Sequence, residues 1–418
     1  MLSIGKINAA NRNYHQLQVA DGREDYYAGH GEAPGRWAGR VAAELGLSGE
    51  LTREGHAALV DGRDPATDEA LLQRGPNSTV LAYDLTFSAP KSVSVLFAVA
   101  DDEVSGALVD AHEAATAAAL DHLERCACQV RRGHGGHERQ DADGFLGAVY
   151  RHRMSRARDP QLHTHVVVAN AARGSDGRWS ALDGQRLYHH AKAAGYLYEA
   201  QLRAEVRERL PWAEWGPVHK GIAELEGVPE PVRNHFSQRR QAIEEWLEQN
   251  GRDGRQSAEK AALATREAKE EYVDTPSWRA EVRARAAEHG LGRVELAELG
   301  QAIPEPPTEA DAPALSARLS GPQGLTERRN AFSERDALCE WAAAHAQGAS
   351  VVDVERATAR YLAGGEVHRL EDGDLHTTED LLACESQVID GAARPRARAP
   401  AASTPRPSRR RSTATGGR

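Results

Sequence analysis

Residues 162–170 read LHTHVVVAN, and this run constrains the fold more than any other part of the chain. Three consecutive valines with apolar neighbours are typical of a strand that is buried in a sheet. Side chains two apart in a strand lie on one face, so His163 and His165 point one way and Thr164 points the other. The sequence therefore predicts a buried strand that presents two imidazoles on the same face.

Strand and helix patterns on both sides of this run indicate the fold class. Apolar runs predict strands at residues 80–87, 126–132, 144–154 and 162–170. Amphipathic or Ala- and Leu-rich patterns predict helices at residues 36–47, 92–100, 103–125, 190–210 and 233–285. The Asp176-Gly177 pair has the turn chemistry of a hairpin. This order predicts an α+β fold, in which helices cover an antiparallel sheet.

Length and composition indicate how the chain is divided. A chain of 418 residues is long enough for one large domain and one or two smaller units. We assign residues 1–300 to the main domain and residues 301–320, which include the Pro-rich IPEPPTEADAPAL, to a linker. Residues 321–390 read as a small helical segment. Residues 391–418 have eight Arg and no acidic residue, which predicts a disordered tail.

Charge and composition exclude several classes of protein. A net charge of -10 argues against a uniformly basic nucleic-acid binder, although residues 125–158 contain eight Arg and only three acids. Lys91-Ser92 follows Ser-Ala-Pro rather than a Gly-rich loop, so no Walker-type nucleotide site is expected. No run reaches the ~20 apolar residues of a membrane span, so we expect a cytoplasmic protein without membrane insertion. The four cysteines are too few and scattered for a disulfide framework.

His152 adds a third imidazole to the pair at 163 and 165. It belongs to the preceding predicted strand, and the connection at residues 155–161 would fold that strand back beside 162–170. Three imidazoles with open coordination positions suit a divalent ion that acts as a Lewis acid. Three buried core histidines are the alternative. A site of two histidines and one carboxylate, as in iron oxygenases, is disfavoured because the strand has no Asp or Glu at an alternate position.

Several longer stretches resemble the MobF-class conjugative relaxases, a group of the His-hydrophobe-His (HUH) endonucleases. These stretches are MLSIGK at 1–6, YY at 26–27, GEAPGRW at 31–37, LGLSG at 45–49, DLTFSAPKSVS at 84–94 and HRMSRARDPQLHTH at 152–165. The resemblance implies the palm-like antiparallel sheet of an HUH endonuclease, with a C-terminal helical extension. It also implies a partner, the single-stranded or hairpin DNA of a transfer origin.

The resemblance further implies a reaction and its metal. A tyrosine attacks one DNA phosphate, leaving a 5'-phosphotyrosyl link and a free 3'-hydroxyl, and no nucleotide cofactor is consumed. His152, His163 and His165 match the family's metal ligands, with Mg²⁺, Mn²⁺ or Zn²⁺ as the candidate ion. Asp84 is the matching carboxylate, which either orients an imidazole or accepts the tyrosine proton.

The tyrosines depart from the family pattern, which typically has two Tyr-Tyr pairs. The second pair is intact as Tyr26-Tyr27, whereas the first appears as Tyr14-His15. We expect Tyr14 to start the first cleavage and Tyr26 to act in a second transfer reaction. Lys91 and Arg156 are candidate contacts to DNA phosphates.

The family also suggests partners and alternatives. We expect a monomer that works with a conjugative coupling protein and a type IV secretion system. MobF relaxases usually continue into a helicase domain, and residues 325–390 resemble the lead-in to it, which favours truncation of a longer protein. A catalytically idle origin-binding remnant and a rolling-circle replication initiator are the alternative functions.

Overall fold

The computed structural model describes residues 1–10, 12, 34–73, 79–250, 274–301, 311–371 and 373–393. The strands are β1 (Leu2–Ile7), β2 (Arg36–Ala38), β3 (Ala82–Ser88), β4 (Gln129–Arg132), β5 (Glu138–Asp141), β6 (Gly147–Met154), β7 (Pro160–Ala169), β8 (Ala172–Arg173), β9 (Trp179–Ser180), β10 (Phe332–Ser333), β11 (Val367–Arg369) and β12 (Leu375–Thr378). The α-helices are α1 (Arg40–Glu44), α2 (Arg53–Asp61), α3 (Lys91–Val99), α4 (Asp102–Ala127), α5 (Gly184–Arg209), α6 (Glu230–His235), α7 (Gln238–Gln249), α8 (Thr275–Glu288), α9 (Arg293–Leu299), α10 (Ala312–Ser320), α11 (Glu334–Ala344), α12 (Val351–Leu362) and α13 (Glu379–Ala393).

A five-stranded antiparallel sheet forms the centre of the protein, with the strand order β1-β3-β7-β6-β2. Strand β7 is central and pairs with β3 on one side and β6 on the other. Its valines at 166, 167 and 168 are fully buried because both faces of the sheet are covered at this point. The predicted α+β fold, with helices on an antiparallel sheet, is confirmed.

The two faces of this sheet are packed differently. On one face, Phe87 and Val166 belong to the main core, which they form with the long helices α4 and α5. On the other face, Tyr150 and Val167 pack against Leu59 of α2 in a separate core. Further along the strands, the alternating positions of this second face change from apolar residues to His, Asp and Thr. The strand period of two therefore places the polar cluster at one end of a single face.

Several predicted elements begin at different residues in the structure, and two of these differences change the type of element assigned to particular residues. The helix predicted at 36–47 is preceded by strand β2, because Arg36–Ala38 pair with β6 and Gly39, at φ 93°, turns the chain before α1. The strand predicted at 126–132 begins only at Gln129, because α4 continues through Ala127. Cys126 therefore lies on a helix rather than on a strand.

The C-terminal part has a core of its own. Leu315 and Leu319 of α10 pack there with Phe332, Trp341 and Tyr361. In contrast to the linker assignment, residues 312–320 form this helix, since leucines four apart give it one apolar face. The segment predicted as helical also contains a three-stranded sheet, β10-β12-β11. Residues 394–418, most of the predicted tail, lie outside the described residues.

Within the described ranges, no helix combines the length and the apolar character that crossing a membrane requires.

Candidate metal centre

The three predicted metal ligands meet at the polar end of the sheet. His152 of β6 lies directly opposite His163 of β7, and His165 follows on the same face. Their ring centroids are 5.2, 5.0 and 5.1 Å apart. One ring nitrogen from each lies within 4.8 Å of the other two. Three imidazoles this close together are a donor set that suits a borderline divalent ion, so these residues fit a shared metal.

Hydrogen bonds at Nδ1 orient two of the imidazoles. Nδ1 of His165 donates to the Asp84 carboxylate oxygens at 2.8 and 3.0 Å. Nδ1 of His163 donates to the backbone carbonyl of Gln161 at 2.8 Å. In a neutral imidazole this arrangement leaves Nε2 as the lone-pair nitrogen, which is the form that binds a metal. Asp84 therefore hydrogen-bonds directly to His165, one of the predicted ligands.

Thr86 is a neighbour that sequence reasoning did not single out. Its hydroxyl lies 3.0 Å from Nδ1 of His165 and 3.3 Å from the Asp84 carboxylate. Thr86 is two residues from Asp84 on β3 and is the direct register partner of His165. The spacing of two along a strand was the signal that could have identified it.

The turn between β6 and β7 is anchored from two distant helices. The Asp159 carboxylate accepts a 2.9 Å hydrogen bond from the backbone N–H of Gln238 at the start of α7. The Trp278 indole of α8 donates to the carbonyl of Arg158 at 2.9 Å. Arg158 has a left-handed φ of 61°, a conformation that costs a non-glycine residue roughly 1 kcal/mol. These anchors stabilise the turn, and thereby the register that places His152 opposite His163.

On the opposite face of β7, Thr164 connects the sheet to the long helices. Nε2 of His112 lies 2.8 Å from the Thr164 hydroxyl, and Nδ1 lies 2.8 Å from the Tyr198 hydroxyl. Burial holds the pKa of His112 well below its usual value, so this imidazole is neutral. The chain of hydrogen bonds links β7 to α4 and α5 directly beneath the histidine pair.

The predicted nucleophiles lie outside the described residues; they are Tyr14, Tyr26 and Tyr27. Arg12, which is described, lies close to the polar face. Its carbonyl is 3.0 Å from Nε2 of His56, and Nδ1 of His56 is 2.5 Å from the Tyr150 hydroxyl. Tyr150 is the register partner of His165. The described residue nearest in sequence to Tyr14 is therefore connected to the strand that carries the ligands.

Lys91 and Arg156 lie at the same end of the sheet. The Lys91 ammonium donates to the Pro160 carbonyl at 2.9 Å and to the Gln161 side chain at 3.0 Å, at the start of β7. Burial lowers the pKa of Lys91 to about 8, although the neighbouring Asp159 acts in the opposite direction. Arg156 lies in the turn between β6 and β7. Their contacts to DNA phosphates stay predictions.

We expect Lys91→Met to change how stability depends on pH. The pKa of Lys91 is about 8 in the folded chain and usually 10.5, so between these values the unfolded chain binds more protons. The free energy of unfolding should rise by up to about 3 kcal/mol as pH increases from about 8 to about 10.5, and the full penalty should be present below pH ~8. Denaturant titrations across this range should show the rise, and Lys91→Met should lack it. An equal rise in both proteins would contradict the assignment.

The basic stretch at residues 125–158 is less positive in the structure than in the sequence. Many of its arginines form ion pairs with acids from other segments. These pairs are Arg131–Asp183, Arg132–Asp176, Arg139–Asp183 and Arg151–Glu113. Counting charges within one window of sequence missed these acids because the fold brings them from α4 and from the region of β8 and β9. The window by itself therefore overstates the local attraction for DNA.

Comparison with known proteins agrees with this geometry. The sequence model of the TrwC relaxase family matches residues 8–289, more than half of the chain. The multifunctional conjugation protein TraI of Escherichia coli is 32% identical over 358 residues. This match covers 81% of the present chain and 19% of TraI, so the chain spans about a fifth of that relative.

Solved structures of the conjugative relaxase TrwC have the same fold. A copper-bound complex of TrwC with oriT DNA has a TM-score of 0.61 at 29% identity, and covers 70% of this chain and 99% of that one. A complex with a 27-mer DNA that comprises the recognition hairpin and the cleavage site has a TM-score of 0.58 at 29% identity, with the same coverage. The residues matched by the family model include strands β6 and β7, which carry the three histidines. The chain belongs to the TrwC relaxase family.

Proposed function

We propose that this chain is a metal-dependent DNA-nicking transesterase that acts at the origin of conjugative transfer. The observation that carries the proposal is the convergence of His152, His163 and His165, with Asp84 hydrogen-bonded to one of them. The relatives support the same reading, since they include a conjugation protein and relaxases solved with oriT DNA. Three core histidines without a metal would not require the Asp84 carboxylate to hydrogen-bond to the His165 ring.

The proposed reaction exchanges one phosphodiester for another. The phenolic oxygen of Tyr14 bonds to the scissile phosphorus, the bond to the 3'-oxygen breaks, and the product is a 5'-phosphotyrosyl adduct with a free 3'-hydroxyl. The tyrosine proton leaves to a nearby acceptor, and the 3'-oxygen gains a proton. Arg12 supports Tyr14 as the nucleophile, because two residues of extended chain span about 7 Å and Arg12 contacts His56 beside the polar face.

The side chains of the site have separate roles in this scheme. His152, His163 and His165 would hold a divalent ion, which would supply Lewis-acid polarisation of the phosphate for attack by a tyrosine whose usual pKa is about 10. Asp84 could orient His165 or accept the tyrosine proton. Its hydrogen bonds to Nδ1 of His165 favour the orienting role. Arg156, in the adjoining turn, is the proposed contact to a neighbouring phosphate.

We expect Asp84→Ala to weaken metal binding by about 10- to 100-fold, because the carboxylate orients His165 and raises the basicity of its metal-binding nitrogen. If orientation is its main role, saturating metal restores most of the cleavage rate. Metal titration followed by cleavage at saturating metal separates the two roles. A variant that binds metal normally but stays inactive would instead assign Asp84 as the proton acceptor. Thr86→Ala, which alters the same ring's surroundings without removing a charge, is the matched control.

We further propose that nicking needs no ATP, since one phosphodiester is exchanged for another of similar energy. The expected context is cytoplasmic, with a monomer that binds single-stranded or hairpin origin DNA. A conjugative coupling protein and a type IV secretion system are the expected partners. The relative TraI is a conjugation protein, which supports the conjugative part of this proposal.

The direct test is incubation of the purified chain with a panel of origin oligonucleotides and Mg²⁺, Mn²⁺ or Zn²⁺, followed by a denaturing gel. The proposed enzyme forms a protein–DNA band that survives denaturation. An idle origin-binding remnant binds the same DNA in a salt-sensitive way and forms no such band. Adducts formed only with replication-origin oligonucleotides would favour a rolling-circle initiator.

A further inference from the structure

A second group of metal-type side chains lies where helices α4 and α5 pack together. His122 and Cys126 are four residues apart on α4, so they share one face of that helix. His190 projects from α5. One ligand atom from each of the three lies within 4.8 Å of the other two. These residues have no part in the proposed nicking reaction.

The two histidines of this group are buried, and three of their four ring nitrogens lack the hydrogen bonds that buried imidazoles normally make. His122 is 5% exposed and His190 is 6% exposed. Nε2 of His122 and both ring nitrogens of His190 have no hydrogen-bond partner among the described residues. An unsatisfied buried polar atom destabilises the folded chain, because it has lost its hydrogen bonds to water without gaining others. One bound ion would satisfy two of these three nitrogens, one on each ring, beside the thiol of Cys126.

A carboxylate orients one of these rings. Nδ1 of His122 donates to Oε1 of Glu355 at 2.6 Å, and Arg125 donates to both oxygens of the same carboxylate at 2.9 and 3.1 Å. In a neutral imidazole this arrangement leaves Nε2 as the lone-pair nitrogen. Metal-bound histidines commonly have a carboxylate on their other ring nitrogen, as His165 has Asp84 in the first site.

We propose that His122, Cys126 and His190 form a second metal site, which binds Zn²⁺ or a similar transition-metal ion. A thiolate with two imidazoles is a donor set that suits Zn²⁺ and does not suit Mg²⁺. Arg186 and Arg335 contribute positive charge near His190, which opposes a cation. Binding therefore requires Cys126 as the negatively charged thiolate. Cys126 is partly exposed, so the ion has a route from the surface.

The position of the site suggests what the ion would do. Glu355 belongs to α12, a helix of the C-terminal core, whereas His122 lies on α4 of the relaxase core. An ion held by α4 and α5, with Glu355 behind His122, would connect the two cores. We therefore infer a structural role, in which metal binding stabilises the attachment of the C-terminal part.

Cobalt spectroscopy tests the proposal on the full chain. Co²⁺ bound to a thiolate gives a near-ultraviolet charge-transfer band, and the three-histidine site has no sulfur ligand. We expect the band in the unsubstituted chain and in His163→Ala, and its loss in Cys126→Ser. Cys384→Ser, which changes an exposed cysteine, is the matched control and should keep the band.

Zinc content and thermal unfolding provide a second measurement. The unsubstituted chain should bind about two equivalents of Zn²⁺, and Cys126→Ser about one. In the His163→Ala background, Zn²⁺ should raise the unfolding temperature, and adding Cys126→Ser should abolish that shift. A cobalt-loaded unsubstituted chain without a thiolate band, or a band that Cys126→Ser leaves unchanged, would overturn the proposal. These outcomes do not depend on whether the chain cleaves DNA.

Discussion

Tyr14→Phe is expected to abolish the covalent adduct with an origin oligonucleotide. The substitution removes only the phenolic oxygen that bonds to phosphorus, so the aromatic ring and the DNA-binding surface are retained. Loss of an enzyme's nucleophile commonly lowers its rate by about 10³-fold or more, because no other group can form the intermediate. The denaturation-resistant band should disappear, while DNA affinity in a gel-shift assay should change little.

The tyrosine pair provides the control for this experiment. Tyr26→Phe should keep the first adduct and lose the second transfer reaction, which is measured by joining the bound strand to a second oligonucleotide. Tyr27→Phe tests the neighbouring hydroxyl in the same assays. Adduct at the unsubstituted level in Tyr14→Phe, together with its loss in Tyr26→Phe, would reassign the first nucleophile to Tyr26.

His163→Ala is expected to remove the metal of the three-histidine site and DNA cleavage together. His163 is opposite His152 in the sheet register and shares its face with His165, so its loss leaves two ligands where three converged. Metal affinity should fall by more than about 100-fold, because losing a ligand costs more than losing a residue that orients one. Metal content after dialysis and adduct formation in a denaturing gel are the two measurements.

An exposed histidine serves as the control for the loss of metal. His137 is exposed and lies outside the three-histidine cluster. His137→Ala should therefore leave both the metal content and the formation of the DNA adduct unchanged. Because the proposed second site retains its ion, His163→Ala should lose about one equivalent of metal rather than all of it. A His163→Ala protein that cleaves DNA with undiminished metal content would rule out His163 as a ligand.

The sequence predicted the parts of this protein that depend on local patterns. The strand period placed His163 and His165 on one face, and the short connection at 155–161 predicted that His152 would join them. The structure brings the three together as expected. The sequence also predicted an antiparallel sheet with helices. It was less accurate at element ends, where α4 continues past Arg125 and Gly39 separates a strand from a helix.

Other features depend on residues far apart in the chain, and no local pattern predicts them. The turn that sets the register of His152 is anchored by Gln238 and Trp278, which lie 79 and 120 positions from their partners. The ion pairs that reduce the basic charge of residues 125–158 use acids from other elements. Cys126, part of a predicted strand, lies instead on a helix beside His190. Which residue types can bind a metal is a property of the sequence, because that chemistry belongs to single side chains. Which of them converge on one ion was decided by the tertiary structure, because convergence depends on strand register and on the packing of α4 against α5.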